Sequence, residues 1–180
     1  MQFNKINIAL WLSLLLWPFG ATMAQKNNNW GVGLRFGAPN ALTIKHYTAN
    51  NALDINIGAA PYGFVDHPNG GYYRDGNRYG FSLMMNYEWR KNIKTVPSLQ
   101  YYYGLGGLMA VRNYIRKDKD PDTDNYYSRV SFGPTAVLGL EWFLPGAPIA
   151  LFVELTPYVE IFPAPFYINP GAGIGGRFIF

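Results

Sequence analysis

From Trp30 onward, apolar residues recur at every second position in segment after segment. Wherever charged residues occur in those segments, they keep to the alternate positions. A period of two is that of a β-strand with unlike faces, because successive side chains point to opposite sides. The segments are Trp30 to Ala38, Leu42 to Lys45, Leu53 to Ala59, Phe81 to Trp89, Leu99 to Met109, Val130 to Trp142, Ile149 to Val159 and Gly171 to Phe180. One phase of each holds no Asp, Glu, Lys or Arg, while the other holds Arg35, Lys45, Asp54, Glu88, Glu141, Glu154 and Arg177. A charge facing the middle of a bilayer costs about 2–4 kcal/mol. Groups of both signs directed into one interior neutralise one another. The pattern predicts an all-β chain, an eight-stranded antiparallel up-and-down transmembrane β-barrel. Its apolar phase would meet lipid, and those seven charged residues would form a polar network in a lumen filled by side chains.

Both ends of the chain fit that prediction. In the last segment Phe180, Phe178, Gly176, Ile174 and Ala172 share one face, and Ile179, Arg177, Gly175 and Gly173 share the other. An amphipathic strand ending on an aromatic suits the closing strand of a barrel, whereas most domain termini are poorly ordered unless tied down. At the other end Lys5 precedes an apolar-rich run from Ile6 to Trp17, then Pro18, Gly20 and Ala21-Thr22-Met23-Ala24. That is the layout of a secretory signal peptide over residues 1–24, leaving the barrel as residues 25–180. The run is shorter than the ~20 residues a membrane helix needs. With no Cys there is neither a disulfide framework nor an acylated lipoprotein terminus. Aromatic residues at 17%, 20 Gly and a mean hydropathy of -0.07 suit strands in which every second residue is polar. Removing Lys5 with the leader lowers the net charge from +4 to +3, too little to indicate nucleic acid.

An even number of strands puts both termini on one side, here the periplasm. Turns at Asn50-Asn51, Arg90 to Val96 and Phe143 to Pro148 would then be periplasmic and short. Pro61 to Arg78, Asn113 to Tyr126 and Phe162 to Asn169 would form longer outward connections, and Pro39-Asn40 a tight one. Trp30, Trp89 and Trp142 all fall at the periplasmic ends of their segments, as an aromatic girdle requires.

With its segments in this order behind a signal peptide, the chain resembles the small eight-stranded outer-membrane barrels typified by OmpX and OmpA. In the phrasing Gly31-Val32-Gly33-Leu34-Arg35-Phe36-Gly37, followed by Ala41-Leu42-Thr43-Ile44-Lys45-His46-Tyr47, it is similar to uncharacterised barrels of Bacteroidota-type bacteria. Gly175, Phe178 and Phe180 resemble the signal read by the barrel-assembly machinery, although Gly173 stands where a polar residue is commoner. The resemblance implies a monomeric protein of a Gram-negative outer membrane, in contact with outer-membrane lipid and lipopolysaccharide, with a structural or surface-interaction role. It implies no cofactor, no bound metal, no nucleic-acid partner and no catalysis.

Other chemistry has slender support. Lipid A deacylases and palmitoyltransferases share this architecture and use a His with a nearby Ser, as those families are known. Here His46 lacks a Ser two residues on, and the remaining grouping is Asp66, His67 and Ser82. Asp118, Asp120, Asp122 and Asp124 alternate through an outer connection, and alternate carboxylates suit a hard cation such as calcium, or cation bridging to lipopolysaccharide. The plainer reading is a solvated loop diluted by Lys117 and Lys119. Gly104, Gly106 and Gly107 lack the Lys of a phosphate loop and serve instead for close packing of lumen and wall. A third possibility is a soluble lipocalin-like ligand carrier, which would place its apolar residues inside.

Overall fold

The computed structural model describes residues 29–59, 78–117, 124–162 and 166–180. The signal-peptide segment, Asp66, His67, Asp118, Asp120 and Asp122 lie outside them. Ten strand segments form one closed antiparallel sheet: β1 (Trp30–Gly37), β2 (Ala41–Tyr47), β3 (Asn51–Ala59), β4 (Arg78–Ile93), β5 (Val96–Lys117), β6 (Asp124–Phe143), β7 (Ile149–Leu155), β8 (Tyr158–Glu160), β9 (Tyr167–Asn169) and β10 (Ala172–Ile179). They make eight barrel strands. β7 and β8 are one strand interrupted at Thr156-Pro157, both halves lying along β6, and β9 and β10 are another interrupted at Pro170-Gly171. Both interruptions fall at a proline, which has no N–H for the ladder.

Each strand pairs with its sequence neighbour, and β1 closes the ring on β10 through Gly31↔Ile179 to Gly37↔Gly173. The seam is completed by Phe180 donating its N–H to the Trp30 carbonyl at 2.9 Å and Trp30 donating to that of Phe180 at 3.1 Å. Closure leaves no sheet edge along this seam. At the end that carries the described termini the connections are tight: Thr48 donates to the Asn51 carbonyl, Lys94-Thr95 turns β4 into β5, and Gly146 adopts a φ of 80° between β6 and β7. Trp30, Trp89 and Trp142 stand at this end, Trp30 against His46 with ring centroids 4.4 Å apart and Trp89 stacked on Tyr103 at 5.7 Å. At the other end Gly37 and Asn40 flank the cis Ala38-Pro39 bond of the β1–β2 turn.

Three expectations need correction at that far end. The connection read from Asn113 to Tyr126 is mostly strand, because pairing continues through Tyr114↔Tyr127 and Ile115↔Tyr126 to Lys117↔Asp124. Aromatic residues, of which this stretch has several, favour the pleated ladder. Asp124 therefore begins a strand and does not belong to a loop. Likewise, the connection from Phe162 to Asn169 contains β9, paired with β8. Ala38, read as an outward residue, is buried where the chain leaves the wall to turn.

Candidate functional site

Alternation carries the seven charged residues read from the sequence to the inside of the barrel, where Glu160 on β8 is buried as well. Arg35 on β1, Lys45 on β2, Asp54 on β3, Glu88 on β4, Glu141 on β6, Glu154 on β7 and Arg177 on β10 are all buried, none more than 2% exposed. Their neighbours along each strand belong to the outward phase and, apart from His46 beside Lys45 and Gly176 beside Arg177, are apolar or aromatic. The result is a barrel with a charged inside and an apolar outside.

The charges form two connected groups. Toward the end with the β1–β2 turn, Arg35 Nε meets Glu154 Oε1 at 2.6 Å, and Arg35 also donates to Thr156 Oγ1 at 2.9 Å and to the Pro39 carbonyl. The other Glu154 oxygen accepts the Tyr102 hydroxyl at 2.7 Å. In the middle, Arg177 reaches Asp54 at 3.2 Å and Glu141 at 2.8 Å and donates from Nε to Thr43 at 3.0 Å, its guanidinium 3.8 Å from the Phe152 ring centroid. Lys45 Nζ lies 2.7 Å from Glu88 and 3.2 Å from Glu141, and 4.0 Å from the Tyr102 ring centroid. The Tyr47 hydroxyl donates to Glu141 at 2.9 Å, while Thr43 and Asn56 donate to Asp54. A buried charge is tolerated only when paired and hydrogen-bonded. These seven meet that condition largely through one another.

Apolar layers border the network on both sides. Met84, Leu108, Ala110 and Tyr158 pack together toward the end with the β1–β2 turn. Tyr47, Ala52, Ala150 and Ile179, with Phe143 against them, pack together toward the end with the termini. Arg90 covers this second layer, its guanidinium 4.6 Å from the Tyr47 ring centroid and bonded to Gln100 and the Thr48 carbonyl. Side chains thus occupy the middle of the lumen.

Glycines make room for the largest of them. A Cβ on Gly139 would lie 2.3 Å from the Tyr102 ring, and one on Gly173 would lie 2.6 Å from the Arg35 guanidinium. Gly106 backs onto Asn86 in the same way, whereas Gly107 faces outward. Substituting Gly139→Val is therefore expected to displace Tyr102 from both Glu154 and Lys45, lowering unfolding stability by about 1–3 kcal/mol. Combining it with Tyr102→Ala should cost less than the two single changes added together, which a urea titration of each variant in lipid vesicles would measure.

Asp54, Glu88 and Glu154 each offer an oxygen within 4.8 Å of the others, the separation of a metal-binding trio. Each is already paired with a cation of the protein, respectively Arg177, Lys45 and Arg35, so the trio's charge is compensated from within. The grouping of Ser82 with His67 and Asp66 has only its serine among the described residues. Ser82 is buried and donates to the Ala59 carbonyl at 2.8 Å, near the opposite end of the barrel from His46. Tyr47, Tyr102, Thr43, Thr156 and Phe152 are members of the network that sequence reasoning left out. Their signal was present, since each continues the inward phase of its own strand.

No family model and no curated protein matches the chain. Among solved structures it is similar to the N-terminal β-barrel domain of Pseudomonas aeruginosa OprF, with a TM-score of 0.57 at 13% identity over 84% of this chain and 95% of that one. The likeness is one of fold, the closed eight-stranded antiparallel barrel.

Proposed function

We propose that the protein is an integral outer-membrane barrel with a structural or surface-interaction role, its termini and tight turns in the periplasm and its lumen plugged by the charged network. The observation that carries this reading is the sense of the polarity. Leu34, Leu105 and Ile174 are 55%, 63% and 63% exposed while Arg35, Lys45 and Arg177 are buried, the reverse of a soluble ligand-carrying barrel. A water-soluble protein seldom exposes so continuous an apolar surface, whereas a bilayer requires one. The Trp30, Trp89 and Trp142 rim supports the periplasmic placement of the tight turns. The Gly31 to Tyr47 phrasing supports kinship with the Bacteroidota-type barrels. Partners on this reading are outer-membrane lipid, lipopolysaccharide and, through the last strand, the barrel-assembly machinery.

Fractionating cells that express the full-length chain tests the reading. The protein is expected in the outer-membrane fraction, resistant to carbonate extraction, and its gel mobility should change on boiling because an intact barrel resists detergent until heated. Recovery of folded protein from the periplasm without detergent would overturn the membrane assignment.

A further inference from the structure

Among the residues whose side chains are described, Lys91 on β4 is the one Asp, Glu, Lys or Arg on the outward phase of a strand. It stands two residues past Trp89, just outside an aromatic group in which Tyr87 and Tyr103 lie 5.5 and 5.7 Å from the Trp89 ring. Lys91 is exposed, and so is Lys94 in the β4–β5 turn. The turns described at this end, residues 48–50, 94–95 and 144–148, hold no Asp or Glu. Arg90, beside Lys91 in the chain, is turned the other way onto the Tyr47 ring. Two ammonium groups thus stand at the foot of the outer wall with no carboxylate side chain in the turns around them.

Register joins that foot to an apolar groove. Lys91 pairs with Tyr101, Tyr101 with Leu140 and Leu140 with Val153, so these four outward residues form one row across β4, β5, β6 and β7. The row starts two residues from the end of β4 at Ile93 but meets β7 four residues past its start at Ile149. It therefore climbs away from the tight turns as it crosses the wall. With strands about 4.8 Å apart and tilted about 35–45°, the climb is about 3 Å per strand, or roughly 9 Å from Lys91 to Val153. Along the upper part of the row Tyr101, Leu138, Leu140, Val153 and Leu155 wall a groove of about 310 Å³, and its lining is almost wholly apolar. A cationic foot below an apolar groove matches one phosphate with an acyl chain running up from it.

We propose that this face seats an anionic phospholipid of the periplasmic leaflet, its phosphate at Lys91 and Lys94 and one acyl chain in the groove between Leu138, Leu140, Val153 and Leu155. The inference rests on the outer-membrane reading, on which the tight turns are periplasmic. It goes further in assigning one face of the barrel to one class of lipid. Charge complementarity selects that class: a zwitterionic phospholipid brings its own ammonium to a place that already has two, whereas an anionic one supplies the missing counter-charge. The aromatic group beside Lys91 fixes the height, since such rings sit at the level of the lipid headgroups.

The test is native mass spectrometry of the folded full-length barrel in detergent, with phosphatidylglycerol or phosphatidylethanolamine of matched chain length. The wild-type chain is expected to retain one phosphatidylglycerol in preference to phosphatidylethanolamine. Lys91→Gln with Lys94→Gln should remove that preference. Val153→Trp changes no charge but fills the groove, and should weaken phosphatidylglycerol retention about tenfold, equivalent to about 1.4 kcal/mol. Leu138→Trp fills it from the other side and serves if Val153→Trp does not fold. Each variant is checked for the heat-dependent gel shift, so that a folding failure is seen as such. Equal retention of both lipids by wild type, or a preference that survives the double lysine variant, would overturn the headgroup site. Undiminished retention by a folded groove-filling variant would overturn the acyl site and leave only surface charge. A wild-type chain with no gel shift, folded without detergent, would instead overturn the membrane reading beneath both.

Discussion

Substituting Glu141→Leu is expected to lower the barrel's unfolding stability by about 3–5 kcal/mol, the cost of removing one partner from a buried ion pair. Glu141 is the hub of the lumen: its two oxygens serve Lys45 at 3.2 Å, Arg177 at 2.8 Å and the Tyr47 hydroxyl at 2.9 Å. Leucine fills much of the same volume but leaves two cations short of counter-charge between apolar layers. Glu88→Leu should cost less, because Lys45 keeps Glu141 as its second carboxylate. Glu141→Gln should fall between wild type and Glu141→Leu, since an amide oxygen still accepts from Arg177 and Tyr47. Urea unfolding of each variant in lipid vesicles measures the order. An unchanged midpoint for Glu141→Leu would show that water or rearrangement satisfies the lumen and that the network does not hold the barrel together.

The inward position of these residues was legible in the sequence because a strand has a fixed period of two. Once Trp30, Val32, Leu34 and Phe36 are seen to be outward, Arg35 has no other side to occupy. Their partners were not legible. In the ladder Lys45 stands directly opposite Asp54, yet its ammonium reaches past that neighbour to Glu88 and, across the lumen, to Glu141, 96 residues away in sequence. Which strands confront one another across a barrel depends on shear and tilt, and alternation carries no record of either. The glycines illustrate the same limit. Gly139 and Gly173 read simply as weak strand residues until Tyr102 and Arg35 are found against them. The full length of β5 and β6 was missed for a different reason: between Arg112 and Lys117, and again between Asp124 and Arg129, polar and aromatic residues occupy both phases. On the proposed membrane orientation neither face of this stretch has to be apolar, so the periodic signal fades although the backbone ladder continues. At Pro157 the opposite happened, alternation on either side masking the break.

The largest effect is expected at the seam. Deleting Phe178 to Phe180 should abolish accumulation of the heat-shifted barrel in the outer membrane while leaving export intact. The three residues do more than supply aromatic surface. Phe180 and Trp30 exchange both backbone hydrogen bonds, Ile179 donates to the Pro148 carbonyl at 2.8 Å and belongs to the apolar layer with Tyr47, Ala52 and Ala150, and Phe178 pairs with Val32 on one side and Ile149 on the other. Their loss would leave the start of β1 and the start of β7 without partners on the β10 side, each still paired on its other side, and on the proposed orientation each unsatisfied group in lipid costs several kcal/mol. The double variant Phe178→Ala with Phe180→Ala separates the two contributions, because it keeps the backbone seam and Ile179 and removes only the rim rings. In refolding from urea into lipid vesicles, with no assembly machinery present, the deletion should fail and the alanine variant should succeed. In cells the alanine variant should assemble poorly if the rings are read by the machinery, and normally if they are not. A deletion that refolds with wild-type yield in vesicles would show that the barrel closes without its last three residues, and the seam would lose its place as the step that completes the fold.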